Sequence, residues 1–345
     1  ANMPNQAIII GAGPAGLAAA LQLHRNNNIA ITVYELRPEP TTLGGAIGLF
    51  PNGMRLVHRL GLHEEVVARG FSVTDMEIHS LPNGDIAKVD ISGWANRQTG
   101  FEYLRIRRKD LQGVLLDAVA KDQIPVHYNK RIISVTESTT DVTVTFSDGS
   151  TDTADILLGC DGLHSSVRRL HVDPSIVPEY SGIAGTQSII DCTGLPEELS
   201  THANAFLTRT GILAMMPCSP SGDELFWFFS RETPIPHSES GNARDGWEER
   251  RQKEVAEYKD TILSIIGEGK GKWPEALTEM VNRTDAVGFY PIFRLPLGGK
   301  WYTSRTVLLG DAAHAMQPHA GQGVSMALED VFLLSRLLKD DQRSL

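Results

Sequence analysis

A glycine-rich turn near the start of the chain constrains the fold more than any other feature. Residues 7–10 read Ala-Ile-Ile-Ile, a short apolar run typical of a strand that is buried on both faces. Gly11, Gly13 and Gly16 follow at once in the spacing Gly-x-Gly-x-x-Gly and open an Ala- and Leu-rich helical segment. A second β-branched run ends at Glu35, about 20 residues further on. This order predicts a βαβ unit that binds a dinucleotide.

Each glycine of this turn meets a separate physical requirement. Gly11 allows the tight turn, Gly13 lets a pyrophosphate approach the backbone, and Gly16 allows the helix to pack closely on the strand. Glu35 is expected to accept hydrogen bonds from ribose hydroxyl groups, and its charge repels a 2′-phosphate. The resident nucleotide is therefore predicted not to be NADP. The alternative is an ordinary tight turn between a strand and a helix, without a ligand.

Two later segments repeat the pattern of a buried strand followed by a glycine turn. Asp161-Gly162 follows the apolar run 156–159, and Gly310-Asp311 follows the run 307–309. The carboxylate of Asp311 is suited to accept hydrogen bonds from a polyol, whereas Asp161-Gly162 alone is also consistent with a simple turn. Residues 318–323 then lead into the last helix, whose first N–H groups and dipole favour an anionic group. A long, two-ended cofactor fits all three segments, and FAD fits best.

The bulk composition excludes several classes of protein. The 345 residues suit about two domains, and a net charge of −10 argues against nucleic acid or an anionic membrane as a partner. No apolar run is long enough to predict a membrane span. Cys160, Cys192 and Cys218 are far apart, so neither a disulfide framework nor a metal site is predicted. With no signal-like segment at its start, the chain is expected in the cytoplasm, and its oligomeric state is left open.

The predicted elements alternate between two patterns along the chain. Strands and helices of α/β type occupy residues 1–72, 102–178 and 290–345, whereas short alternating strands and one long helix occupy 73–101 and 179–289. The fold class predicted is α/β, with a Rossmann-like FAD-binding domain and an inserted, mainly antiparallel β-sheet domain that binds substrate. The cofactor domain is thus discontinuous in sequence.

With these motifs, the sequence resembles the class A FAD-dependent monooxygenases, the family of salicylate and para-hydroxybenzoate hydroxylases. Five motifs occur in family order over nearly the whole chain: the glycine turn with Glu35 and Arg37, residues 44–52, the Arg-x-x-Leu step at Arg108 and Leu111, residues 161–168, and residues 310–330. The motifs are specific for the cofactor and say much less about the substrate.

The resemblance implies a role for each matching position. Glu35 and Arg37 would hold the adenosine end, Arg108 would reach the pyrophosphate, and Asp311 would bind the ribityl chain. NAD(P)H would visit transiently near the Asp161 motif, without a second Rossmann domain. The predicted cofactor-binding residues are Gly11, Gly13, Ala15, Gly16, Glu35, Leu36, Arg37, Gly45, Gly48, Arg108, Asp161, Gly310, Asp311, Pro318, Gly321, Gly323 and Val324.

The sequence also departs from the family. Many phenol hydroxylases carry Arg and Tyr where Gln187 and Met216 stand, and a Gln there resembles the tetracycline-inactivating branch, as does the Gly44-Gly45 pair. Ser325 replaces a usual Asn in the flavin loop, and a C-terminal helix is expected to be absent. The residues predicted to line the substrate cavity are Gln187, Met215, Phe228 and Pro318, with Arg209 considered beside them.

Two histidines are predicted to lie in or near the flavin-binding segments. His314 lies in the Gly310 motif and is predicted to be structural, whereas His319 is expected near the reactive edge of the flavin. Gln187 and His319 are the weak catalytic candidates, because the flavin itself would carry the chemistry. Each predicted cavity residue is alternatively a surface residue or an ordinary member of a packed sheet.

The function implied by the resemblance is an FAD-dependent monooxygenase. NAD(P)H would reduce the flavin, O₂ would add at C4a, and the C4a-hydroperoxyflavin would hydroxylate an aromatic or polycyclic phenol or enol. The alternatives are a tetracycline-inactivating monooxygenase, a reductase, oxidase or halogenase of the same fold, and a binding protein without chemistry. The missing Trp-x-Trp-x-Ile signature argues against a halogenase, and the intact loops at Gly11 and Gly321 argue against loss of chemistry.

Overall fold

Two large β-sheets, one parallel and one mainly antiparallel, organise the chain. The computed structural model describes residues 4–40, 45–236 and 243–339. Within these ranges the strands are β1 (Gln6–Ile10), β2 (Ala30–Tyr34), β3 (Ala46–Leu49), β4 (Gly70–Val73), β5 (Asp75–Ser80), β6 (Gly84–Asp90), β7 (Tyr103–Arg107), β8 (Val126–His127), β9 (Ile132–Glu137), β10 (Val142–Phe146), β11 (Thr151–Ala154), β12 (Ile156–Gly159), β13 (Glu179–Asp191), β14 (Ala203–Leu207), β15 (Gly211–Pro217), β16 (Glu224–Glu232), β17 (Gly288–Arg294) and β18 (Thr306–Leu308).

Helices cover the sheets. They are α1 (Pro14–Asn27), α2 (Pro51–Arg59), α3 (His63–Val67), α4 (Gly93–Thr99), α5 (Arg108–Lys121), α6 (Glu197–Thr201), α7 (Ala243–Ile266), α8 (Trp273–Asn282), α9 (Asp311–His314) and α10 (Gly323–Leu338). A π-helical turn at Arg168–Val172 and a 3₁₀ turn at Pro318–Ala320 complete the regular structure.

The parallel sheet places the three predicted ligand segments at one edge. Its strand order is β18-β12-β1-β2-β8, and every neighbouring pair is parallel. The central strand β1 is apolar and buried, and α1 packs against it and against α10 and α5. Because the carboxyl ends of parallel strands meet at one edge, Gly11, Asp161 and Gly310 are brought together there. The predicted βαβ unit and the α/β fold class are confirmed.

Two small antiparallel sheets flank this layer. One has the order β11-β10-β9, with antiparallel pairing between neighbouring strands. The other has the order β3-β7-β4, with Leu104 and Ile106 of β7 in the core that surrounds α1. The opposite face of β7 carries Tyr103, Arg105 and Arg107 towards the second large sheet, because side chains alternate along a strand.

The second large sheet has the order β17-β13-β16-β15-β14-β5-β6 and is antiparallel except between β14 and β5. One of its faces packs under α7 and α8, with Met215, Trp227, Phe229, Leu277 and Met280 among the buried residues of that core. Residues that alternate with these along β13 and β16 lie on the other face, which turns towards the parallel sheet.

The structure differs from the sequence analysis in three places. Residues 93–99, predicted among strands, form α4, because the Asp90 carboxylate accepts hydrogen bonds from the N–H groups of Gly93 and Trp94 and starts a helix. The helix α8 was not predicted. Strand β17 pairs with β13, so residues 290–294 belong to the antiparallel sheet rather than to the cofactor domain. The rest of the domain division stays a prediction.

Candidate functional site

One cavity of about 770 Å³ runs between the parallel sheet and the antiparallel sheet. Most of the predicted residues line it: Gly11, Gly13, Ala15, Glu35, Leu36, Arg37, Gly48, Arg108, Asp161, Asp311, Pro318, Gly321, Gly323, Val324, Gln187, Phe228 and His319. Segments that are more than 300 residues apart in sequence therefore meet around one elongated space. The beginning of α10 lies at its wall.

The glycine turn forms a cradle for a phosphate group. Gly11 has φ +107°, and a Cβ on Gly16 would overlap the carbonyl oxygen of Gly11, so both positions are closed to larger residues. A Cβ built on Gly13 meets nothing within 4 Å, and Gly13 faces the cavity at the start of α1. The backbone at this point is thus open to a ligand, at a helix N-terminus that favours an anion. These residues fit a pyrophosphate.

Glu35 is positioned by the backbone at the far end of the cavity. Its Oε2 accepts from the N–H of Ala12 at 2.9 Å, and its Oε1 accepts from the N–H of Arg37 at 2.9 Å. Each carboxylate oxygen keeps acceptor capacity for a further hydrogen bond. The group is therefore held in place and can still receive two hydroxyl groups of a ribose. Burial and the charge of Glu35 raise the pKa of the nearby Tyr128 phenol.

Asp311 is placed where it can meet a chain of hydroxyl groups. It begins α9 directly after Gly310 and presents its carboxylate to the cavity. Enclosure by the surrounding protein raises the pKa of Asp311, while the charges of Arg108 and His314 oppose that shift. Because the carboxylate faces the cavity, hydroxyl donors of a ligand there would stabilise it. Gly310 itself lies behind the cavity, between Ala15 and Ala327.

The predicted flavin loop brings a helix N-terminus to the cavity. The 3₁₀ turn is followed by Gly321, with φ +65°, and α10 begins at Gly323. Gly321, Gly323 and Val324 line the cavity. Ser325 does not line it: the side chain is buried against Gly53 and accepts a hydrogen bond from the N–H of Phe50 at 3.3 Å. The departure at Ser325 therefore affects how the loop is supported.

The Asp161 motif is bound mainly to the protein itself. The Asp161 carboxylate accepts hydrogen bonds from Ser165 Oγ and from the N–H groups of Ser166 and Val167, and these bonds oppose the rise in its pKa that burial causes. The buried Arg168 donates to the carbonyl oxygens of Leu163, Ile176 and Ala312. Arg168 thereby fixes the Asp161 turn to the Gly310 motif.

The two histidines differ in their surroundings. His314 Nε2 lies 2.6 Å from the Asp330 carboxylate, and this hydrogen bond raises the pKa of His314. Asp330 also accepts from the N–H of Gly310, so the pair supports the turn from behind. His319 Nε2 lies 2.8 Å from Ser230 Oγ, and burial lowers the pKa of His319. Of these two histidines, His319 lines the cavity, where its lowered pKa favours the neutral imidazole.

The antiparallel sheet supplies the other end of the cavity. Gln187 on β13 lies directly opposite Phe228 on β16, and both face the cavity. Met215 points to the opposite face and is buried beside Trp227, so its predicted place in the substrate cavity is wrong. Arg209 also lies elsewhere: its side chain is 76% exposed and pairs with Glu268 at 3.6 Å. Met215 was misplaced because the sequence does not show which face of the strand each alternating side chain occupies, whereas Arg209 lies in the turn between β14 and β15.

Gly45 and Gly48 act at the junction between the two ends. A Cβ on Gly45 would lie 2.9 Å from Gln187 Nε2, and one on Gly48 would overlap the Tyr103 hydroxyl. The β3 edge therefore approaches residues of the substrate side more closely than a larger residue would permit. Gly44 lies outside the described residues.

Several cavity residues were not predicted from the sequence: Arg105, Phe226, Ser230, Tyr290 and Ile292. They come from the outward faces of β7, β16 and β17. The alternation of apolar and polar side chains in β7 shows that Arg105 points away from the core around α1. It does not show which strand that outward face will contact. Among the described residues there is no cluster of His, Cys, Asp and Glu side chains suited to a metal ion. Nor does that part of the chain include a helix long and apolar enough to cross a membrane.

Comparison with known proteins agrees with this geometry. The sequence profile described as FAD binding domain matches residues 5–271 and 297–341. The chain is 28% identical to the 6-hydroxynicotinate 3-monooxygenase of Pseudomonas fluorescens over 338 residues, which cover 96% of this chain and 82% of that protein. The crystal structure of Klebsiella pneumoniae HpxO with FAD and uric acid has a TM-score of 0.82, at 24% identity and with 97% and 80% of the two chains covered. The tetracycline destructase Tet(51) has a TM-score of 0.67, at 21% identity and with 98% and 83% covered. The two solved structures share the fold.

Proposed function

Because the chain belongs to the FAD binding domain family and is a member of its FAD-dependent monooxygenases, we propose that it uses NAD(P)H and O₂ to hydroxylate an aromatic or polycyclic phenol or enol. FAD is its cofactor, as the sequence predicts. The relatives named for 6-hydroxynicotinate and 3-amino-4-hydroxybenzoate support a small aromatic substrate.

One observation carries the proposal: the cofactor residues and the substrate residues share a single cavity. It extends from Glu35, past the N-termini of α1 and α10, to Gln187 and Phe228. A ligand held by the glycine turn and the flavin loop would thus end beside the aromatic face of the antiparallel sheet. Reductases that act only on a second cofactor do not need such an aromatic chamber, which favours oxygen transfer to a bound ring.

The side chains and backbone of this chain would position the cofactor and the substrate, enclose the substrate end and accept a proton. Bound FAD supplies the redox chemistry, in which NAD(P)H, a proton, O₂ and the substrate yield NAD(P)⁺, water and the hydroxylated product. Phe226, Phe228 and Pro318 give the substrate end apolar surface, which would exclude water once a ring is bound against it. His319, a neutral base beside Ser230, is the group proposed to accept the proton of the substrate hydroxyl. The start of α10 favours negative charge on the ring system that it faces.

A second candidate is a tetracycline-inactivating monooxygenase. Gln187 favours it, because this residue lies at the cavity wall in contact range of the Gly45 backbone. Oxygen uptake stimulated by tetracycline, with an oxidised product found by mass spectrometry, would support this candidate. Uptake stimulated only by hydroxylated aromatic acids would exclude it.

The test of the proposal begins with the yellow holoprotein. Asp311→Ala should weaken FAD binding by about 10- to 100-fold, the range for a hydrogen bond to a charged group, and abolish NAD(P)H-driven O₂ uptake. Asp117→Ala, on the exposed side of α5, is the matched control and should leave both unchanged. Normal uptake in Asp311→Ala would contradict the assignment. Hydrogen peroxide in place of hydroxylated product from the wild type would identify an oxidase instead.

A further inference from the structure

The arginine at position 105 carries a charge that the described part of the chain does not neutralise. Arg105 lies on β7 and lines the cavity. Its Nη1 donates to the Tyr103 hydroxyl at 2.9 Å, and its Nε is buried without a hydrogen-bond partner. Among the described residues, no carboxylate lies within ion-pair distance of this guanidinium. An enclosed cation without a counterion is costly, so its presence requires a reason.

The neighbouring Arg107 shows how a structural charge on the same strand is neutralised. Arg107 lies on the same face of β7, two residues further on. Its Nε donates to Asp110 at 2.5 Å, and its Nη1 lies 2.6 Å from Glu224. Arg107 thus has two carboxylate partners, whereas Arg105 has a phenol and a ring. The difference shows that the lack of a counterion at Arg105 is particular to the residue that faces the cavity.

The surroundings of Arg105 define what a ligand must offer. The guanidinium carbon lies 4.7 Å from the centre of the Phe226 ring, and Phe226 lies on the strand that also carries Phe228. Gln187, an amide, lines the same end of the cavity. Flat apolar surfaces beside one fixed cation suit an aromatic ring that bears an anionic oxygen group. Arg matches a carboxylate particularly well, because its planar donors fit both oxygen atoms.

We propose that Arg105 binds the carboxylate of an aromatic acid, so that the substrates of this protein are anionic ring compounds held between Arg105 and the Phe226–Phe228 face. The inference rests on the proposed function for the presence of FAD and substrate in one cavity. It adds the charge of the substrate and the residue that selects it. The neutral amide of the same ring compound offers no negative charge to the guanidinium and is bound weakly.

The test measures binding separately from turnover. Matched pairs of probes, the hydroxybenzoates and 6-hydroxynicotinate against their primary amides, are titrated into the holoprotein while the visible flavin spectrum is followed. The wild type should bind the acids about 10- to 100-fold more tightly than the amides, the range for a charge-assisted hydrogen bond. Arg105→Met should abolish this preference by weakening acid binding alone, and Arg105→Lys should restore part of it. Arg209→Met, which removes an exposed charge outside the cavity, should keep the full preference.

Two results would overturn the inference. One is equal binding of acids and amides by the wild type, which needs no variant. The other is an intact acid preference in Arg105→Met together with a lower FAD content or a higher KM for NAD(P)H, which would assign the arginine to a cofactor. The proposed function fails in a different way: a holoprotein that prefers acids but consumes no O₂ with NAD(P)H would retain the anion site and exclude the monooxygenase.

Discussion

The two ends of the cavity differ in how far backbone and side chains form their surfaces. At the cofactor end, the surface suited to a phosphate and to the ring is backbone, namely the open face of Gly13, the start of α1 and the start of α10, with the carboxylates of Glu35 and Asp311 beside it. At the substrate end, it is largely side chain: Arg105, Gln187 and the rings of β16. A backbone surface requires glycines at fixed spacing, whereas a side-chain surface can be rebuilt one residue at a time. The comparison explains why one fold can keep its cofactor and change its substrate.

The largest expected effect tests whether FAD binding depends on the space that the glycines leave beside the backbone. Gly16→Val would place a side chain against the carbonyl oxygen of Gly11, and it should cost more than about 4 kcal/mol of unfolding free energy and abolish FAD binding. Gly13→Ala should change the stability of the FAD-free protein by no more than about 1 kcal/mol, because the added Cβ meets no protein atom.

Gly13→Ala should nevertheless weaken FAD binding by at least about tenfold, or about 1.4 kcal/mol. Urea unfolding of the FAD-free proteins and flavin titration measure the two quantities separately. If Gly13→Ala bound FAD normally, the open face at Gly13 would not be the phosphate cradle.

The next effect tests how the cofactor segments are held together. Arg168→Met would leave the carbonyl oxygens of Leu163, Ile176 and Ala312 without their donor, at a cost of about 3 kcal/mol. The adjacent Arg169 is exposed, and Arg169→Met should change the unfolding free energy by less than about 0.5 kcal/mol. Chemical denaturation of both variants decides the point, and equal stabilities would show that Arg168 does not join the motifs.

A third pair of variants separates the two faces of the antiparallel sheet. Met215→Ala should lower the unfolding free energy by about 2–4 kcal/mol through a cavity beside Trp227, with little change in the binding of an aromatic acid. Phe228→Ala, on the cavity face, should cost only about 1–2 kcal/mol of stability and weaken acid binding more strongly. Thermal unfolding measures the stability of the two variants, and ligand titration measures their acid binding. A larger loss of stability in Phe228→Ala than in Met215→Ala, with the larger loss of acid binding in Met215→Ala, would contradict this assignment of the faces.

The smallest effect is the pH dependence that His314 contributes. The hydrogen bond with Asp330 raises the pKa of His314, so the folded state binds the proton more tightly than the unfolded state. This contribution to stability is complete below about pH 6.5, the ordinary histidine value, and is lost as the pH rises through the raised pKa. Urea unfolding between pH 6 and pH 9 should show a downward slope that Asp330→Asn removes. An identical slope in that variant would assign the effect to another group.

The same comparison accounts for what the sequence could predict. The positions of Gly11, Gly16, Glu35 and Asp311 follow from local spacing, because a turn, a helix start and the next strand end all lie within short stretches of chain. Arg105 could not be identified in this way, since its role depends on β7 meeting β16 across more than 100 residues. Met215 was misplaced for a related reason: an apolar run without a clear polar alternation does not show which face turns to solvent or to a cavity.

The close contact of Gly45 with Gln187 has a consequence for how new substrate preferences can arise. A side chain at position 45 would come within 2.9 Å of Gln187 Nε2, and the φ of +92° at Gly45 disfavours any residue that has a Cβ. Laboratory selection for altered specificity should therefore change the side chains at 187 and 228 while it keeps glycine at 45, which would be the fixed point around which the substrate side varies.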